Sequence, residues 1–153
     1  MQDAFYDLAD EYGIMIWEEF IFACALYPTD SDFLANVAGE VIDNVKRTQH
    51  HAALIVWSGN NENEASIAEN WYGFPSADEP AYASMYSDLY FGTVFAVLET
   101  IDTSRPVLPS SPSNGYETGS FSALSYATPI FTKALVLFSC NTDCIESARY
   151  QVW

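Results

Sequence analysis

The sequence predicts an α/β fold built on a parallel sheet, and three observations predict it. Short apolar runs at residues 14–17, 54–57 and 107–108 alternate with longer segments of helical period. Within the first two runs the apolar residues are consecutive rather than alternating, the pattern of strands covered on both faces. Both runs end in a tryptophan with carboxylates close behind: Trp17 precedes Glu18 and Glu19, and Trp57 precedes Ser58-Gly59-Asn60-Asn61-Glu62. Ligands of parallel α/β proteins sit beyond the carboxyl ends of the strands, so these exits are where chemistry is expected.

Each element has its own signal. Phe5, Leu8, Ala9 and Tyr12 recur at helical spacing, so residues 3–12 read as a helix capped by Gly13 in the left-handed conformation. The strand at 14–17 ends at Glu18, which either faces solvent, the reading preferred here, or perturbs a neighbouring carboxyl by like-charge repulsion. Thr29 and Asp32 form a variant capping box for a helix whose Phe33, Val37, Val41 and Val45 share one face. Lys46, Arg47, His50 and His51 gather at its end, where the helix dipole favours cations, and termination explains them better than binding. Tyr86, Leu89, Tyr90, Thr93, Val94, Val97 and Ile101 mark the next helix, and Ser104-Arg105-Pro106 breaks into the strand at 107–108.

Composition excludes several functions. The chain has 153 residues, half of them hydrophobic, which is enough for a real core. A formal net charge of −16 with only five basic residues argues against nucleic acid and against anionic membranes. Such acidity suits an enzyme of neutral substrates or a protein of an acidic compartment. Cys24, Cys140 and Cys144 leave one cysteine unpaired in any connectivity, so no disulfide scaffold is expected and Cys24 reads as a small core residue. Neither the cysteines nor His50 and His51 show metal-ligand spacing, so no metal and no cofactor are expected. The first 20 residues carry acidic groups throughout, so no signal peptide is expected there, and the apolar runs fall far short of the roughly 20 residues that cross a bilayer.

Glu62 is the candidate catalytic acid. Gly59 permits an unusual turn, and Asn60 and Asn61 bring amide donors and acceptors beside the carboxyl. The plainer alternative is a polar loop leading into a helix. Further on, Asn70-Trp71-Tyr72-Gly73-Phe74-Pro75 forms an aromatic loop in which Trp71 is either a platform for the apolar face of a sugar or a structural tryptophan.

Trp57-Ser58-Gly59-Asn60-Asn61-Glu62-Asn63-Glu64 resembles the acid/base motif of the β-mannosidases of glycoside hydrolase family 2. The segments 5–17, 22–30, 104–106 and 110–115 resemble the same family in the same order, so the likeness spans about residues 4–118. It implies part of a TIM (β/α)8 barrel, about helix 2 to strand 5, because a whole barrel needs about 250 residues. It also implies removal of terminal non-reducing β-D-mannose from oligosaccharides with retention, without a cofactor, by an enzyme that is lysosomal or secreted. Glu62 would be general acid and then general base. Asn61 would hold the sugar 2-hydroxyl, and Trp17, Glu19, Trp71 and Asn114 would line the substrate. Glu18 departs from the family, which commonly has glutamine there.

The resemblance stops at about residue 118, and the composition changes with it. Residues 1–118 hold 19 acidic and 3 basic residues, whereas 119–153 hold 2 and 2. Two parts are therefore expected, a partial catalytic barrel at 1–118 and a divergent tail at 119–153. That tail could be an alternative exon, a frame-shifted end or a divergent strand and helix. The strand bearing the family's nucleophile has no counterpart, so the chain alone is expected to be inactive and to need the remainder of the barrel as its partner. Two other classes stay open: a carbohydrate-binding or regulatory isoform without turnover, and a small acidic α/β interaction domain.

Overall fold

The computed structural model describes residues 2–111. Helix α1 (Asp3–Tyr12), strand β1 (Ile16–Glu19), helix α2 (Ser31–Thr48) and strand β2 (Leu54–Ser58) are followed by the short helix α3 (Asn63–Ala68). Helix α4 (Glu79–Leu89) runs through a π-helical turn (Tyr90–Phe95) into α5 (Ala96–Ile101), and β3 (Val107–Leu108) completes the order. The three strands form one parallel sheet in the order β1-β2-β3. This is a mixed helix and strand fold with a small parallel sheet, as the alternation predicts.

Gly13 takes the left-handed conformation, with φ 67°. The amides of Gly13 and Ile14 then bond back to the carbonyls of Asp10 and Ala9, which is a Schellman cap. Ile14 is thus spent on ending the helix, and β1 starts at Ile16 rather than 14. Glu18 and Glu19 consequently lie inside the strand, paired with Trp57 and Ser58. The expected apolar face of α1 also changes. Tyr6 and Ala9 are buried against Ile16 and Ala53, while Phe5, Leu8 and Tyr12 are exposed. Tyr6 wins the inner position through its polar handle: its ring stacks on His51 and its hydroxyl donates to Glu18 at 2.8 Å. That bond and half-burial remove Glu18 from the solvent-facing role preferred for it. Burial raises the Glu18 carboxyl above its ordinary range, and the Tyr6 hydrogen bond offsets part of the rise. Burial pushes Tyr6 itself up to about 12, with Glu18 adding to the effect.

Helix α2 buries Val37, Val41 and Val45 as its periodicity predicts. Its cap is one residue later than expected. Asp30, not Thr29, accepts from the amide of Phe33 at 3.1 Å. The basic residues at its end do more than face the dipole: Arg47 pairs with Asp3 at 2.6 Å, and His51 meets Asp10 at 2.7 Å. Asp10 also accepts from the Ala53 amide, so α1 is tied to the start of β2.

The core lies between β2 and the helices, where Trp57, Leu54, Val41, Val45, Tyr90, Val94 and Leu98 pack together. Between Ile16 and Trp17 the pairing slips by one residue, and Ile55 is the unpaired position; it is exposed, unlike the rest of β2. A clamp then fixes β2 to the segment after α5. Asp102 accepts from Trp57 Nε1 at 2.9 Å and from Arg105 Nη1 at 2.8 Å, and Arg105 donates onward to the carbonyls of Leu54 and His51. Burial alone would raise the Asp102 carboxyl, but Ser104, Trp57 and Arg105 donate to it and hold it below the ordinary range.

Candidate active site

Paired residues of a parallel sheet share a face. Glu18 and Trp57 therefore point toward the helices, and the Trp17–Val56 and Glu19–Ser58 pairs point to the opposite face. On that opposite face the Ser58 hydroxyl donates to Glu19 at 3.1 Å. Burial raises the Glu19 carboxyl, Ser58 lowers it in part, and the charge of Glu62 adds to the rise.

Gly59 serves a different end from the turn expected of it. Its φ is not in the left-handed range; a Cβ there would stand 2.5 Å from the Phe95 ring and 2.6 Å from the Pro109 carbonyl. Close approach, not backbone freedom, demands glycine. Asn60 is fully buried and staples the exit loops together: its amide donates to the Pro109 carbonyl at 2.9 Å, and its Oδ1 accepts from Ser110 and from the Asn63 amide. Asn61 carries the sheet one step further, bridging Ala23 on one side and Ser111 on the other. The backbone of the next residue, Glu62, accordingly donates to the Ser111 carbonyl at 3.1 Å.

Glu62 takes the left-handed conformation, with φ 62°, at the start of α3. Non-glycine residues rarely adopt it, and such strain clusters at functional positions. Facing it is Cys24, also left-handed at φ 44°. Cys24 is exposed, which corrects its reading as a core residue. Its thiol donates to Glu62 Oε2 at 3.1 Å and lies 3.4 Å from Asn61 Nδ2. Partial burial and then Glu62 raise the thiol above its ordinary value.

Glu19, Asn61 and Glu62 are thus brought together, and Trp17 lies on the face of β1 that carries Glu19. Trp71 is 48 % exposed in its own loop beyond α3, with Nε1 bonded to Glu69. Asn114 falls outside the described residues. Cys24 is the neighbour that sequence reasoning missed as part of the site; its only signal was membership of the segment 22–30. Behind the site, Asn63 of α3 donates to Tyr90 at 2.6 Å, and burial pushes the Tyr90 hydroxyl far up.

No family model matches the chain. Curated relatives do: "Beta-mannosidase" of Bos taurus is 47 % identical over 117 residues, which is 76 % of this chain and 13 % of that protein. The chain is homologous to β-mannosidases. "Beta-mannosidase A" of Emericella nidulans is 39 % identical over 80 % of the chain and 13 % of its own length. The crystal structure of the β-D-mannosidase of Dictyoglomus thermophilum superposes with a TM-score of 0.65 at 37 % identity, covering 76 % of this chain and 14 % of that one. The described fold is therefore similar to part of a β-mannosidase, and the chain spans about 13 % of the length of the curated relatives it matches.

Proposed function

We propose that this chain is part of a family 2 β-mannosidase, covering about helix 2 to strand 5 of a (β/α)8 barrel at residues 1–118, with a divergent tail at 119–153. The observation that carries the proposal is the place of Glu62. It stands four residues beyond the central strand of a parallel sheet, in a strained conformation, with Glu19 close enough to feel its charge. Glu62 protonates the departing glycosidic oxygen and then, as a base, activates the water that releases mannose with retained configuration. Asn61 holds the sugar 2-hydroxyl; one of its two amide hydrogens faces Cys24, and the other has no partner among the described residues. Trp17, Glu19, Trp71 and Asn114 line the sugar.

The attacking carboxylate of such an enzyme stands about 5–5.5 Å from the acid. This role is assigned to a strand outside the chain, so the chain alone does not turn over β-mannosides, and no cofactor takes part. The parent enzyme is lysosomal or secreted. Supporting the need for further strands, β1 and β3 each pair on one side only among the described residues, and Met15 and Ile21 flanking β1 are 74 % and 76 % exposed. Hydrolysis of phenyl β-mannoside, whose leaving group needs protonation, tests the proposal. The complete polypeptide carrying this segment should be active and lose at least about a hundredfold on Glu62→Gln. Full activity of that variant, or robust hydrolysis by the 153-residue chain alone, overturns it.

A further inference from the structure

We propose that Cys24 is a positioning residue for Glu62: its thiol engages Oε2 of the carboxyl, so that the proton exchanged with the substrate is carried on Oε1. The inference rests on the reading of Glu62 as acid and base.

The two residues are 38 positions apart, yet the thiol donates to Oε2 at 3.1 Å. A directed chain forms, from the Asn61 amide at 3.4 Å to sulfur and from sulfur to carboxylate. The backbone is built for this contact. Both residues hold left-handed conformations that cost a non-glycine residue energy, and the Cys24 amide is fixed on the Asn61 carbonyl at 2.9 Å. Core packing gives no reason for the strain, because Cys24 is exposed. Partial burial, and after it Glu62, raise the thiol above its ordinary value, so it stays protonated as a donor through neutral pH.

The choice of sulfur has a chemical sense. A strong or charged donor at Oε2 would favour the ionised carboxylate and weaken the acid. A thiol is a weak donor, so it orients the group at small cost to its ability to hold a proton. With Oε2 occupied as an acceptor, the single proton of the carboxylic acid resides on Oε1. In the first step that O–H bond breaks as the proton passes to the leaving oxygen, which departs with the electron pair of its bond to the anomeric carbon while the nucleophilic carboxylate of the remaining barrel bonds that carbon. In the second step Oε1 takes a proton from water as the water oxygen bonds the anomeric carbon and the carboxylate leaves with the electron pair of the glycosyl bond.

The test compares kcat/KM for phenyl β-mannoside, whose departure needs protonation, with 2,4-dinitrophenyl β-mannoside, whose departure does not. In the complete polypeptide, Cys24→Ala should lower the first about tenfold and the second less than twofold, and Cys24→Ser, which keeps a donor, should recover most of the loss. Cys24→Gly lacks the thiol but suits the left-handed backbone, so it should match Cys24→Ala and serves where the alanine variant does not fold. Equal losses on both substrates, or none on either, overturn the proposal. Glu62→Gln run alongside separates the two claims. A leaving-group-dependent loss in Glu62→Gln without one in the Cys24 variants rejects only the role of Cys24; no loss in Glu62→Gln rejects the reading of Glu62 itself.

Discussion

Two carboxylates stand beside the central strand β2 on opposite faces, and their surroundings treat them in opposite ways. Asp102, on the helix side, is buried among donors: Trp57, Ser104 and Arg105 all reach it, and together they outweigh its desolvation. Glu19, on the other face, has the Ser58 hydroxyl and the charge of Glu62, so desolvation wins and its carboxyl is raised. A fully supplied charge locks structure, whereas an undersupplied one favours its protonated form.

The signs of their pH dependence follow. Asp102 titrates lower when folded, so its stabilisation is present above the ordinary aspartate range and is lost as pH falls through the depressed value. Glu19 titrates higher when folded, so its contribution is complete below the ordinary glutamate range and is lost as pH rises through the raised value.

Breaking the supplied side should have the largest effect on stability. Asp102→Ala leaves the half-buried Arg105 charge without its carboxylate and the Trp57 indole N–H without its acceptor, and should cost about 3–5 kcal/mol in urea unfolding monitored by tryptophan emission. Next comes Gly59→Ala, which drives a methyl into Phe95 and the Pro109 carbonyl and should cost about 1–3 kcal/mol by the same measurement. Glu19→Gln should act in the reverse direction. It removes a charge held in an unfavourable place, so midpoints measured from pH 4 to 8 should be higher than wild type at the neutral end and fall less as pH rises. The smallest effect belongs to the exposed apolar positions: Met15→Lys should change unfolding by no more than about 0.5 kcal/mol while reducing self-association in light scattering.

Legibility in the sequence followed the range of the interactions. Helix α2 could be read because Val37, Val41 and Val45 meet one continuous core face, so local period and burial agree. In α1 they disagree, because what decides between Phe5 and Tyr6 is a glutamate 12 residues beyond Tyr6. The β1 boundary moved because backbone capping used Ile14, a detail of hydrogen bonding that hydrophobicity does not encode. At the candidate site, the position of Glu62 just beyond the sheet was legible from the apolar run before it. The contact of Cys24 was not, since its partner lies 38 residues away, and Gly59 was assigned the wrong reason because the ring it accommodates arrives from the π-helical turn at Tyr90–Phe95.

The most direct measurement of the central claim is chemical rescue. Glu62→Ala in the complete polypeptide, given 2,4-dinitrophenyl β-mannoside and sodium azide, is expected to accelerate with azide and to yield β-mannosyl azide by nuclear magnetic resonance, because the small anion takes the place of base-activated water on the glycosyl-enzyme. A rate indifferent to azide, or an α-configured azide as product, would contradict the assignment of Glu62 as the acid/base group of a retaining β-mannosidase.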